Sequence, residues 1–152
     1  MGCRPAPASR YHIQDERNYC GASAAMMLLA EDNIPYNTLS QGALFASNHS
    51  HNANPLWETD PVGLEYTLDN HPQVQGRFFG VHKRLTQLDG TLDVIFSVCS
   101  KNRSCAVLVD YRHWNVVYDV QVNGNVAGGV YEVMGFCLHN PVWDRQWNST
   151  VH

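Results

Sequence analysis

The stretch IQDERNYCGASAAMMLL carries a cysteine, Cys20, where a polar loop gives way to small and apolar residues. A thiol at the start of a helix meets unsatisfied backbone N–H groups and the positive end of the helix dipole, and both favour an anion. With a histidine beside it, such a thiol can titrate at roughly 3.5–7.5. Gly21, Ala22 and Ser23 leave room for another segment to approach closely. The competing reading is a packed core thiol, because free cysteine is among the most buried residue types. His113 supplies the base this chemistry needs. It opens the segment HWNVVYDV, from which its ring can reach past a sheet edge. A neutral imidazole takes the thiol proton and later returns one to a leaving group. Its competing reading is a surface histidine at a hairpin end.

Asn140, in FCLHNPVW, precedes Pro141, which holds it in an extended or turn conformation. An amide oxygen accepting from the imidazole N–H would fix the ring's tautomer and orientation; otherwise Asn-Pro merely ends a strand. His139 is expected to be incidental, since neighbours on a strand point to opposite faces. Gln14 lies six residues before Cys20 on the lead-in loop. Its amide can donate to a developing oxyanion together with the Cys20 backbone N–H.

These four residues need elements to position them. Ala, Met and Leu after Cys20 predict a helix to about Glu31, stopped by Asn33 and Pro35. Thr38–Ser47 reads as a shorter second helix and Asn48–Pro55 as a loop. Asp60 followed by Pro61 is a helix start signal. Arg77–Leu85 reads as a strand interrupted by Gly80. In Thr91–Ser100, Leu92, Ile95, Phe96 and Cys99 recur at helical spacing and predict one apolar face. CAVLVDY, HWNVVYDVQV and VYEVMGFCL then follow, rich in strand formers and separated by a short polar turn at Arg112 and by NGNVAGG. Helices first and strands afterwards predict an α+β domain with an antiparallel meander.

The 152 residues suit one domain spanning 1–152. A net charge of −4 offers no basic footprint for nucleic acid. No apolar run reaches the roughly 20 residues of a membrane span. MGCRPAPASR lacks the apolar core of a signal peptide, so synthesis in a reducing cytoplasm is expected, with export by a signal-independent route compatible with it. Five cysteines, an odd number without tight pairing, argue against a disulfide scaffold. His49, His51, Cys99 and Cys105 offer zinc-ligand types, but without C-x-x-C or H-E-x-x-H spacing.

Together QDERNYCGASAAMMLL, HWNVV and HNP resemble the papain-like cysteine peptidases, most closely the C39-like branch. The order Gln, Cys, His, Asn and the six-residue Gln-to-Cys step agree with that family. Glu31 to Leu88 matches no family motif. C39-like proteins usually carry Asp-Pro where this chain has Asn140-Pro141; Asn is the choice of papain itself. The resemblance implies a minimal papain-like α+β fold and a cysteine peptidase acting on peptide or protein substrates. In it Cys20 is the nucleophile, His113 the base, Asn140 the orienter and Gln14 the oxyanion donor, with no metal or cofactor. Free-standing papain-like domains also serve as toxins or effectors. The same residues run acyl transfer, transglutamination and deamidation, and an inactive binding module of this fold is a further alternative.

Overall fold

A computed structural model of the chain describes residues 11–74, 88–142 and 146–150. The first helix, α1 (Cys20–Glu31), begins and ends where the sequence predicts. It is buried continuously from Cys20 to Leu29, as a helix apolar on every side must be. It closes in a Schellman arrangement. Asn33 adopts a positive φ of 65°, Asn33 N donates to Ala30 O and Ile34 N to Leu29 O, so the last carbonyls are satisfied.

Next come α2 (Gln41–Ser50), started by the Ser40 hydroxyl, and α3 (Pro61–Asp69), started by the Asp60 carboxylate accepting from Gly63 N at 2.8 Å. Helix α2 thus begins later than predicted and takes in Asn48 to Ser50, which composition assigned to a loop. The Ser40 cap, not Thr38, sets its start. The strand expected at Arg77–Leu85 lies outside the described residues.

Helix α4 (Leu88–Ile95) runs into a π-helical turn, Phe96–Ser100. Here the predicted apolar face fails. Val94, Ile95 and Val98 are buried, whereas Leu92 is 42% and Phe96 56% exposed. The buried residues keep regular i, i+1, i+4 spacing, so the packed stripe is rotated round the helix from the predicted one, and Lys101 covers the Phe96 ring, its Nζ 5.4 Å from the centroid.

Four strands follow, β1 (Cys105–Val109), β2 (His113–Asn125), β3 (Val130–His139) and β4 (Gln146–Thr150), in an antiparallel sheet of order β1-β2-β3-β4. The meander is therefore as predicted, with β4 an unforeseen fourth strand. The fold is α+β. Strand β2 is buried without interruption from Trp114 to Val120 because helices cover both its faces. Trp114 and Val116 pack with α1–α3, while Val117, Val120 and Val122 pack with α4. The phase change after Val117 follows from a bulge between Val117 and Asp119, which inserts one extra residue. Cys137 on β3 is disulfide-bonded, a crosslink that the cysteine count did not anticipate.

Candidate active site

The site lies where the N-terminus of α1 meets the start of β2. Helices α2 and α3 are capped by side chains, but α1 begins at Tyr19–Cys20 with no side-chain cap. Its first-turn N–H groups are thereby left for another acceptor. The Cys20 thiol lies beside the His113 ring and the backbone N–H groups of Trp114 and Gly21, and each of these favours its charged form. Strand β3 pairs with β2 only from Val116 onward, which leaves the Trp114 N–H on that edge unclaimed by the ladder. Burial pushes the Cys20 thiol up. The His113 ring, the Trp114 N–H, the imidazolium charge and the Gly21 N–H together outweigh it and hold the thiol below its ordinary value.

His113 moves the opposite way. Its hydrogen bond to Cys20 raises it most, burial lowers it, and the bond to Asn140 and the thiolate charge raise it again. Its Nε2 lies 2.6 Å from Asn140 Oδ1. That oxygen also accepts from Val142 N at 3.1 Å. Because a backbone N–H can only donate, the atom facing the ring is the amide oxygen, and Nε2 must carry a proton. The other nitrogen, Nδ1, is left for the thiol. The three residues thus stand together: Cys20 buried, His113 half-buried, Asn140 buried.

Gln14 does not join them in this arrangement. Its Nε2 donates to the carbonyls of Glu16 and Arg17, both at 2.7 Å, and it does not line the cleft beside Cys20. Both amide protons brace the loop, and acting as an oxyanion donor would require one of those bonds to be released. His139 is a packing residue between the Tyr11 and Tyr118 rings; desolvation by burial lowers its pKa to about 4 and keeps it neutral.

The support around Cys20, His113 and Asn140 was not legible from motifs. Gln41, 1% exposed, accepts from Asp15 N and donates to Ile13 O. The Ser23 hydroxyl donates to His12 O, Tyr11 Oη to Asn140 O and Gln14 N to Pro141 O. The lead-in loop is thereby tied to α1, to α2 and to the Asn140–Pro141 turn. The Trp114 indole donates to Thr59 O at 2.9 Å, and a Cβ on Gly21 would lie 2.6 Å from the Thr59 side chain. Glycine at position 21 is therefore the only residue type that lets Thr59 seat against the start of α1 without displacement. A buried polar residue in α2 and an indole beside His113 were the available signals, but neither has a characteristic spacing.

Of the zinc-ligand types, His49 and His51 each direct Nδ1 to a backbone carbonyl. Among the described residues no group of three or more His, Cys, Asp or Glu could hold a metal ion. No helix among them is long and apolar enough to cross a membrane. Comparison of the chain with family models, with curated proteins and with solved structures finds no match.

Proposed function

We propose that the chain is a thiol hydrolase, its nucleophile a Cys20 thiolate held against a His113 imidazolium. Within that class we read it as a papain-like cysteine peptidase, most similar to the C39-like branch. The observation that carries this reading is the orientation of one ring. His113 Nε2 is fixed by Asn140 Oδ1 at 2.6 Å while the same ring pairs with a thiol at an uncapped helix start.

In this reading the Cys20 thiolate attacks a peptide carbonyl carbon, and the negative charge moves to the carbonyl oxygen. The first-turn N–H groups of α1 supply stabilisation there, since charge that develops beside preorganised donors is strongly favoured. The tetrahedral intermediate collapses as the C–N bond breaks, and His113 Nδ1 gives its proton to the leaving amine. An acyl-thioester on Cys20 remains. Water, deprotonated by His113, attacks that carbonyl, and the carboxylic acid leaves with the thiol restored. Asn140 exchanges no proton and keeps the ring in place.

The test is mass spectrometry of a peptide library incubated with wild type and with Cys20→Ala. New termini that appear only with wild type support hydrolysis. Mass changes of +1 Da at Gln or Asn side chains, without chain cleavage, would instead identify a deamidase.

A further inference from the structure

The cleft beside Cys20 has a volume of about 610 Å³, within the range of pockets that hold a ligand of a few residues. Two segments form its rim, the stretch Leu56–Thr59 ahead of α3 and the β1–β2 turn at Tyr111 and Arg112. Leu56 is 91% and Tyr111 63% exposed. The Trp57 and Tyr111 rings meet edge-on, 6.4 Å apart at 81°. Asp110 and Tyr111 take consecutive positive φ values of 52° and 57°. Aspartate tolerates that region, but tyrosine is strained there in a way glycine would not be. The pair forms the centre of a type I′ hairpin turn closed by Arg112 N donating to Val109 O at 3.0 Å, and this turn sets the Tyr111 ring at the mouth of the cleft.

Charge adds a second, independent feature. Arg17 and Arg112 both line the cleft against one carboxylate, Glu58, which accepts from Asn18 Nδ2 at 3.2 Å. The chain as a whole carries a net charge of −4, so this cationic lining runs against its average.

Resting on the peptidase reading, we propose that the cleft recognises a peptide segment in which a bulky apolar side chain adjoins an acidic one. The apolar side chain lodges against Trp57 and Tyr111, and the carboxylate faces Arg17 and Arg112. Binding is measured by fluorescence anisotropy on the Cys20→Ala protein, with four labelled peptides of one frame carrying Phe-Asp, Phe-Lys, Ala-Asp or Ala-Lys. Phe-Asp is expected to bind at least tenfold more tightly than each of the others. On the same background, Arg17→Glu with Arg112→Glu abolishes the Asp-over-Lys preference. Tyr111→Gly abolishes the Phe-over-Ala preference and leaves the melting temperature unchanged or higher; Tyr111→Asn, which also accepts positive φ, serves should the glycine variant not fold. Equal or undetectable binding of the four peptides, or preferences that survive both sets of variants, overturns the proposal. Turnover by wild type separates the two claims. Selective binding without cleavage leaves the subsite and removes the hydrolase reading, whereas equal cleavage of all four removes the subsite alone.

Discussion

Under the proposed thiol-hydrolase reading, Asn140→Ala isolates the residue that orients the base. The Asn140 oxygen accepts from His113 Nε2 at 2.6 Å and from Val142 N at 3.1 Å, in a site only 3% exposed. A hydrogen bond to a charged partner contributes roughly 1.5–3 kcal/mol, and each 1.36 kcal/mol is tenfold in rate, so kcat/KM should fall about 10- to 150-fold. Water entering the vacated space would move the loss toward the lower end. The pH profile makes the test sharper. His113 already titrates above 6.5, raised first by Cys20, opposed by burial, and raised again by Asn140. Protonating the leaving amine needs the imidazolium, so activity declines as pH rises through the His113 value. Removing Asn140 deletes one raising cause and should move that falling limb to lower pH. Asn140→Asp keeps the acceptor and adds a negative charge, so it should retain substantial activity with the limb at higher pH. The assay is kcat/KM against pH for wild type and both variants, with melting temperatures confirming the fold. An alanine variant matching wild type in both rate and falling limb would refute the orienting role.

Gly21→Ala should lower both stability and turnover, because its Cβ would lie 2.6 Å from Thr59 and overpacking costs about 1–3 kcal/mol. Thermal melts decide this, since an unhindered helical Gly→Ala change would be stabilising by roughly 0.5–1 kcal/mol. Gln14→Ala should remove two side-chain bonds to the loop, each worth roughly 1 kcal/mol. A lower melting temperature is expected, with a turnover loss smaller than the roughly 10²–10³-fold of a missing oxyanion donor. Unchanged melting with the full loss would show that the amide leaves the loop carbonyls for the oxyanion.

Local chemistry explains which elements could be read in advance. Helix α1 was legible to the residue because a small, apolar run is closed by Asn33 and Pro35, and the Asp60–Pro61 signal placed α3 equally well. Strands β1 to β3 followed from their Val and Tyr content and their turns. The face of α4 was misread because two sets of apolar residues, Leu92/Ile95/Phe96/Cys99 and Val94/Ile95/Val98, both fit helical spacing, and packing against β2 selects the second. Strand β4, QWNST, is too short and polar to announce itself; its pairing with β3 is a tertiary event. Within the site, Cys20, His113 and Asn140 were readable because each carries a distinct chemistry at an element boundary. Gln14 was readable as a type and a spacing, but its two loop bonds depend on how the chain turns at Glu16 and Arg17. Gln41, Thr59 and the Trp114 N–H act through long-range contacts for which the sequence has no local mark.

The central claim is that Cys20 is a thiolate at neutral pH because His113 shares its proton. Its most direct measurement is the rate of iodoacetamide alkylation at Cys20 against pH, read by peptide mapping, in wild type and His113→Ala. Exposed Cys99, which is in no disulfide, serves as the internal reference. The account predicts that Cys20 in wild type reacts well below the ordinary thiol value of 9.0. In His113→Ala its profile should move up toward that of Cys99. A Cys20 profile that tracks Cys99 in wild type, or that does not move when His113 is removed, would contradict the ion pair.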